Sequence, residues 1–336
     1  MRSLINRTAH AGMDAIMCAM MNTAQWRLRH HAVTRERLEE YLLECQEHDY
    51  RSYYATPDEN RTLDPPSWRR DGHRLSWKTP RPEKHPENNT ACAHLFETAN
   101  PKTPHGAPTI ILMHALMSAN DYGYRRIASR FNKQGWNVLF PHLPYHYSRR
   151  PRGYANGALT ITADLIRNAE TLRQSVIELR QLMAWARQRG SRRIALLATS
   201  YGAWVASLAL SLEKTDFSVL MQPVVDVNYA TFGSPASRMM ADCLKRNNIH
   251  PEALDRHAHL SSPARLTPLT RPDRITIIGG KYDRLSSPAS LRSLCDSWGG
   301  AKYRQVDQGH FGYDAMRSAL QESEQFMNYP VMSESE

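Results

Sequence analysis

Ser200, Asp283 and His310 follow one another in chain order, and each stands shortly after an apolar run that reads as a β-strand: RIALLAT (193–199), RITIIGG (274–280) and KYRQV (302–306). A serine hydroxyl is a weak nucleophile. It becomes effective when an imidazole takes its proton and a carboxylate holds that imidazole in the productive tautomer. The three strand ends supply a hydroxyl, an acid and an imidazole in that order. Ser200 stands in ATSYG, with Ala198 two residues before it and Gly202 two after, and small residues there let a sharp strand-to-helix turn pack against its neighbours. Taken singly, Ser200 is equally a helix N-cap and His310 equally a surface-loop histidine. The coincidence at three strand ends favours nucleophilic chemistry.

Those residues need a scaffold that brings strand ends together. Beyond residue 70 the chain alternates short apolar runs with helix-length segments. TIILMH (109–114), WNVLFP (136–141) and FSVLMQ (217–222) join the three strands above, and HRLSWK and ACAHLFE precede them. Near-continuous apolarity suits strands covered on both faces, and the alternation implies a mostly parallel sheet of eight strands flanked by helices. In such sheets, sites form beyond the carboxyl ends of the strands. The segment at 160–189 is a long amphipathic helix, with Leu165, Leu172, Val176, Leu179, Leu182, Met183 and Ala186 on one stripe and Gly190 ending it. The fifty or so residues between FSVLMQ and RITIIGG exceed a simple crossover, so a lid insertion is expected at about 227–268.

Residues 1–70 read as a helical extension packing on the main domain, which spans 71–330. Met13, Ile16, Met17, Met20, Met21 and Ala24 share one helical face, expected to be buried against that domain. A second helix is expected over TRERLEEYLLECQEH, capped by Thr34; Arg37 stands where a capping box wants Glu or Gln.

The strand–ATSYG–helix pattern with its downstream Asp283 and His310 resembles the α/β-hydrolase superfamily, whose members are mostly serine esterases, lipases, thioesterases and related hydrolases. The likeness covers roughly 70–330, and Ala198 replaces the first glycine of the usual G-x-S-x-G. The resemblance implies that Asp283, in the strand-then-GGKYD context, is the acid. Asp226, after FSVLMQPVV, is a rival, because some members place the acid after that earlier strand. Asp307 and Asp314 lie near His310 in sequence, which does not orient them toward its far nitrogen. An oxyanion hole needs two backbone N–H groups. Tyr201 supplies one; the other comes from MHALMS, where Leu116 is assigned and Ala115 is next in line. His142, Tyr145 and His146, after another strand, are candidates for the pocket lining.

The five cysteines are far apart with no metal or redox spacing, which reads as reduced thiols and a cytoplasmic setting. No metal site and no cofactor are expected. The net charge of +10 is spread along the chain without a nucleic-acid motif, so it reads as a solvated basic face rather than a nucleic-acid surface; peripheral contact with an anionic membrane stays open. No secretory signal and no membrane span are apparent. The expected function is hydrolysis of a small-molecule acyl ester, lipid-like in character, through an acyl-enzyme. A thioesterase or peptidase of the same fold, or a catalytically silent binding protein, is the alternative. Oligomeric state is not legible.

Overall fold

The computed structural model describes residues 2–56, 68–100, 106–116 and 118–328. Residues 57–67 of the expected extension, and 329–330 at the end of the expected hydrolase domain, lie outside these. Three helices come first: α1 (Arg2–Arg27), α2 (Arg35–Gln46) and α3 (Tyr50–Tyr53). An antiparallel entry to the sheet follows, in β1 (Arg69–Asp71), β2 (Arg74–Lys78) and β3 (Thr90–Phe96). Then come β4 (Thr109–Met113), α4 (Tyr122–Asn132), β5 (Asn137–His142), α5 (Leu165–Gln188), β6 (Ile194–Thr199), α6 (Tyr201–Ala209) and β7 (Phe217–Met221). The long connection expected at 227–268 carries α7 (Arg238–Arg246) and α8 (Pro251–Ser261). The chain closes with β8 (Ile275–Gly280), α9 (Pro288–Ser297), β9 (Lys302–Val306) and α10 (Asp314–Met327).

The sheet has nine strands rather than eight, in the order β1-β2-β3-β5-β4-β6-β7-β8-β9. From β5 to β9 all neighbours run parallel, whereas β1, β2 and β3 pair antiparallel. The additional strand, β1, is three exposed charged residues, Arg-Arg-Asp. It carries no apolar signature because an edge ribbon buries nothing.

Alternation along the central strands splits the core between two faces. Ile111 and Met113 of β4, with Leu196 and Ala198 of β6, join α5, α6 and α9 on one face. Ile110 and Leu112, with Ala195 and Leu197, meet Phe131 of α4 and Ala319 of α10 on the other. β4, β7 and β8 are buried along their whole length, which is why they read as unbroken apolar runs.

α2 is capped by Thr34, whose side chain accepts from the Arg37 N–H. Its Leu38, Leu42 and Cys45 are buried, and Tyr50 and Tyr54 donate to the Leu208 and Leu260 carbonyls of α6 and α8 at 2.6 and 2.8 Å. Together with α3, it lies against helices of the sheet domain.

Candidate active site

Ser200 is the single residue between β6 and α6. Its backbone has φ +51° and ψ −114°, and its side chain makes no capping hydrogen bond. A non-glycine residue in that region carries strain on the order of 1–3 kcal/mol. The surroundings hold it there: the Ser200 N–H donates to the Met221 carbonyl at 2.8 Å, and Trp204 N–H donates to the Ser200 carbonyl at 2.9 Å. All nine residues of α6 are buried. Gly202 is where that helix meets β4. A Cβ there would lie 2.5 Å from the His114 carbonyl oxygen and 2.9 Å from Met113, so only glycine fits. Ala198 is fully buried opposite Met113 in the sheet register, and its methyl group is accommodated where the usual motif has glycine.

The structure brings Ser200, His310 and Asp283 together. Ser200 Oγ lies 2.9 Å from His310 Nε2, and His310 Nδ1 lies 2.8 Å from Asp283 Oδ2. Because a carboxylate can only accept, Nδ1 carries the ring hydrogen and Nε2 presents its lone pair to the serine. Burial alone would push the His310 pKa down. The Asp283 carboxylate, by charge and hydrogen bond, and Asp14 beyond it raise it above the ordinary histidine value. The Asp283 oxygens are both engaged: Oδ1 accepts from the N–H groups of Leu285 and Ser286 at 2.7 and 2.9 Å, and Oδ2 also accepts from Gln222 Nε2 at 2.7 Å.

Gln222 went unrecognised in the sequence, where it reads as the end of a strand. It follows β7 with φ +50°, is buried, and its amide also donates to the Gly309 carbonyl at 2.9 Å, joining the acid to the histidine loop. A buried glutamine ending an otherwise apolar strand is the one signal that marks it. Asp226, the rival acid, is exposed and accepts from the Tyr229 N–H at 2.8 Å, capping a turn. Asp307 faces Lys281, and Asp314 pairs with Arg317.

Tyr201 opens α6, so its N–H is among the four that a helix leaves without an internal partner. Tyr201, Leu116 and Ala115 line the same cavity as Ser200. The Ala115 N–H donates to the Tyr124 hydroxyl at 3.3 Å, so that candidate donor is already engaged. His114 shapes that loop: its Nδ1 donates to the Ala115 carbonyl at 2.9 Å, and its Nε2 accepts from the Leu143 N–H at 3.1 Å. Burial, followed by the nearby His146, holds its pKa well below the ordinary value, so the ring stays neutral. His142, Tyr145 and His146 are buried away from the cavity rather than lining it. Burial holds His142 near pKa 3 and His146 near 4. Among the described residues, no group of three or more His, Cys, Asp or Glu side chains is placed to hold a metal ion.

The cavity above Ser200 measures about 820 Å³ and runs between Leu172, Trp204, Met240 and Leu254. Met13, Met17 and Met21 of α1 form part of its wall. The expected burial of the whole methionine face is not what the structure has: Met13, Ile16 and Met20 are 51, 62 and 54% exposed. Asp14, Cys18 and Gln25 are the buried positions instead. The reason is that α1 lies along the rim of an open cavity and is anchored through polar groups. Asp14 accepts from the His310 and Phe311 N–H groups, and Asn22 bonds Pro235 and Met239 beside α7.

The family described as alpha/beta hydrolase domain containing 18 matches residues 68–265, more than half of the chain. The chain belongs to this family. The span matched to alpha/beta hydrolase domain containing 18 includes Ser200, Tyr201 and Leu116 and ends before Asp283 and His310. Among solved structures, the acetyl xylan esterase from Paenibacillus sp. R4 is similar at TM-score 0.55 and 14% identity, over 77% of this chain and 86% of that one. A putative dipeptidyl aminopeptidase IV from Bacteroides ovatus is similar at TM-score 0.50 and 13% identity, over 75% of this chain and 35% of that one. At such identities the likeness is one of fold. No curated protein matches this chain. Among the described residues, no helix is long and apolar enough to cross a membrane.

Proposed function

We propose that the protein is a serine hydrolase that cleaves a carboxylic acyl ester through a covalent acyl-enzyme. One observation carries the reading: a serine held at φ +51° places Oγ 2.9 Å from His310 Nε2, whose partner nitrogen lies 2.8 Å from Asp283. An ordinary N-cap has extended backbone and turns its hydroxyl to its own helix.

In the proposed reaction, His310 Nε2 takes the Ser200 proton as Oγ bonds to the ester carbonyl carbon. The carbonyl oxygen becomes an oxyanion that the N–H groups of Tyr201 and Leu116 stabilise. Collapse breaks the bond to the alcohol, which leaves with the proton from His310. Water then gives a proton to His310 and attacks the acyl carbon, and the acid departs as Ser200 recovers its hydrogen. Asp283 stays ionised throughout and stabilises the imidazolium. The apolar cavity wall, to which the insertion at 227–268 and the methionines of α1 contribute, favours an apolar acyl group. Cytoplasmic placement belongs to the same proposal and is supported by five free cysteines.

A fluorophosphonate probe is expected to label the protein at Ser200, and Ser200→Ala is expected to abolish labelling while lowering kcat on a p-nitrophenyl acyl ester by about 10⁴ to 10⁶. An unlabelled parent chain, or a variant within tenfold of it, would overturn the reading in favour of a silent binding protein. Comparing kcat/KM for the ester, an acyl thioester and a peptide amide ranks the substrate classes.

A further inference from the structure

α1 lies outside the span matched by the family, and its Asp14 is 296 positions from His310, yet the two meet. Asp14 is 5% exposed, and its carboxylate spans two backbone donors: Oδ2 accepts from the His310 N–H at 3.0 Å and Oδ1 from the Phe311 N–H at 3.2 Å. The loop is shaped for this contact. A Cβ at Gly309 would lie 2.4 Å from Asp14 Oδ2 and 2.7 Å from Oδ1, so glycine is what allows the carboxylate to approach. Gln222 holds the Gly309 carbonyl from the other side, so the loop is gripped between β7 and α1.

Building on the serine hydrolase reading, we propose that Asp14 is a positioning residue for the reaction: it fixes the backbone of His310 so that Nε2 meets Ser200, making α1 part of the catalytic unit. The physical argument is one of tolerance. A ring held between an acid and a nucleophile at 2.8 and 2.9 Å works only while its backbone stays put, and a displacement near 1 Å can lower a rate by about 100-fold. Within the loop Gln308 braces the backbone on either side, accepting from the Ala315 N–H at 2.8 Å and donating to the Gly309 carbonyl at 3.3 Å, while the His310 and Phe311 N–H groups are held by Asp14. Asp14 also adds negative charge near the ring. The charged groups acting on His310 are Asp283 from the β8 loop and Asp14 from α1, and both favour the imidazolium.

The test compares Asp14→Ala, Asp14→Asn and Asn22→Ala in the full chain, each checked for folding by circular dichroism. Asp14→Ala is expected to lower kcat on a p-nitrophenyl ester about 10- to 100-fold with KM little changed, and Asp14→Asn, which keeps one acceptor, to fall between it and the parent. In both, the acid limb of kcat/KM should move to lower pH, because a charge that favours the imidazolium is gone. Asn22→Ala loosens the other anchor of α1 and should leave the acid limb in place. Gly309→Ala probes the same contact from the loop side and should lower kcat in the manner of Asp14→Ala. An unchanged kcat and acid limb in both Asp14 variants would overturn the role, as would an Asn22→Ala variant that reproduces both effects. A parent chain that does not label with fluorophosphonate overturns the hydrolase reading itself; a labelled parent with an unaffected Asp14→Ala overturns this role alone.

Discussion

Replacing Asp283 by asparagine separates its charge and acceptor role from its shape, and the hydrogen bonds around it dictate how the new amide must sit. Oδ1 faces two backbone donors, Leu285 N–H and Ser286 N–H, so the amide oxygen has to occupy that position. The NH₂ group is thereby placed at the Oδ2 position, facing His310 Nδ1 and Gln222 Nε2. The glutamine can turn its own oxygen toward the new amide only by giving up its bond to the Gly309 carbonyl. His310 adapts only by giving up its Nδ1 hydrogen and carrying it on Nε2, where it opposes the Ser200 hydroxyl and removes the base. The expected loss in kcat is about 10⁴, the scale for a histidine locked in the wrong tautomer. That corresponds to roughly 5 kcal/mol of transition-state stabilisation. The assay is steady-state hydrolysis of a p-nitrophenyl ester, with fluorophosphonate labelling rates as a second readout and Asp226→Asn as the comparison. Asp226 is an exposed turn cap, so its substitution should leave kcat within about threefold of the parent. A kcat within tenfold of the parent for Asp283→Asn, or a larger loss for Asp226→Asn, would refute the reasoning and move the acid elsewhere.

Two further outcomes concern stability. His114, His142, His146 and His257 are buried with pKa values below the ordinary histidine value, burial being the main cause at each. The unfolded chain takes up protons at these sites below about pH 6.5 while the fold resists them, so stability should fall with pH there, by up to about 1.4 kcal/mol per pH unit per histidine. His310 has the opposite sign and offsets only part of this; urea titrations at pH 7.5 and 5.5 giving equal midpoints would sink the argument. Gly202→Ala places a methyl against the His114 and Met113 backbone and should destabilise the fold by about 1–3 kcal/mol while disturbing the elbow, seen as a lowered Tm together with a lowered kcat. Parent-like values for both would contradict the close packing of α6 on β4.

Eight of the nine strands, the mostly parallel character of the sheet and the three residues at strand ends were legible because each depends on local pattern. A strand buried on both faces has to be apolar throughout, and a residue directly after it has to lie at the sheet's carboxyl edge. What the sequence left open was decided by contacts between distant segments. Arg149 is one of the arginines behind the net charge of +10, which by itself suggests a solvated position, yet it is 1% exposed and bonded to Glu178 of α5. The methionine face of α1 has a clear helical period, but periodicity reports only that one face is apolar, not what lies opposite. Here a cavity rim lies opposite, so Met17 and Met21 are half-buried while Ile16 and Met20 stay outside. Gln222 is marked only as a polar residue ending an apolar strand, and Asp14 only as a charge on an apolar helix; neither mark says that it meets the His310 loop, because a hydrogen bond across 87 or 296 positions depends on where the folded sheet and helix bring their backbones. The residue types able to do the chemistry were thus set by the sequence, and the restraints that aim them at one another by the tertiary structure, since aim depends on distances that exist only once the chain has closed on itself.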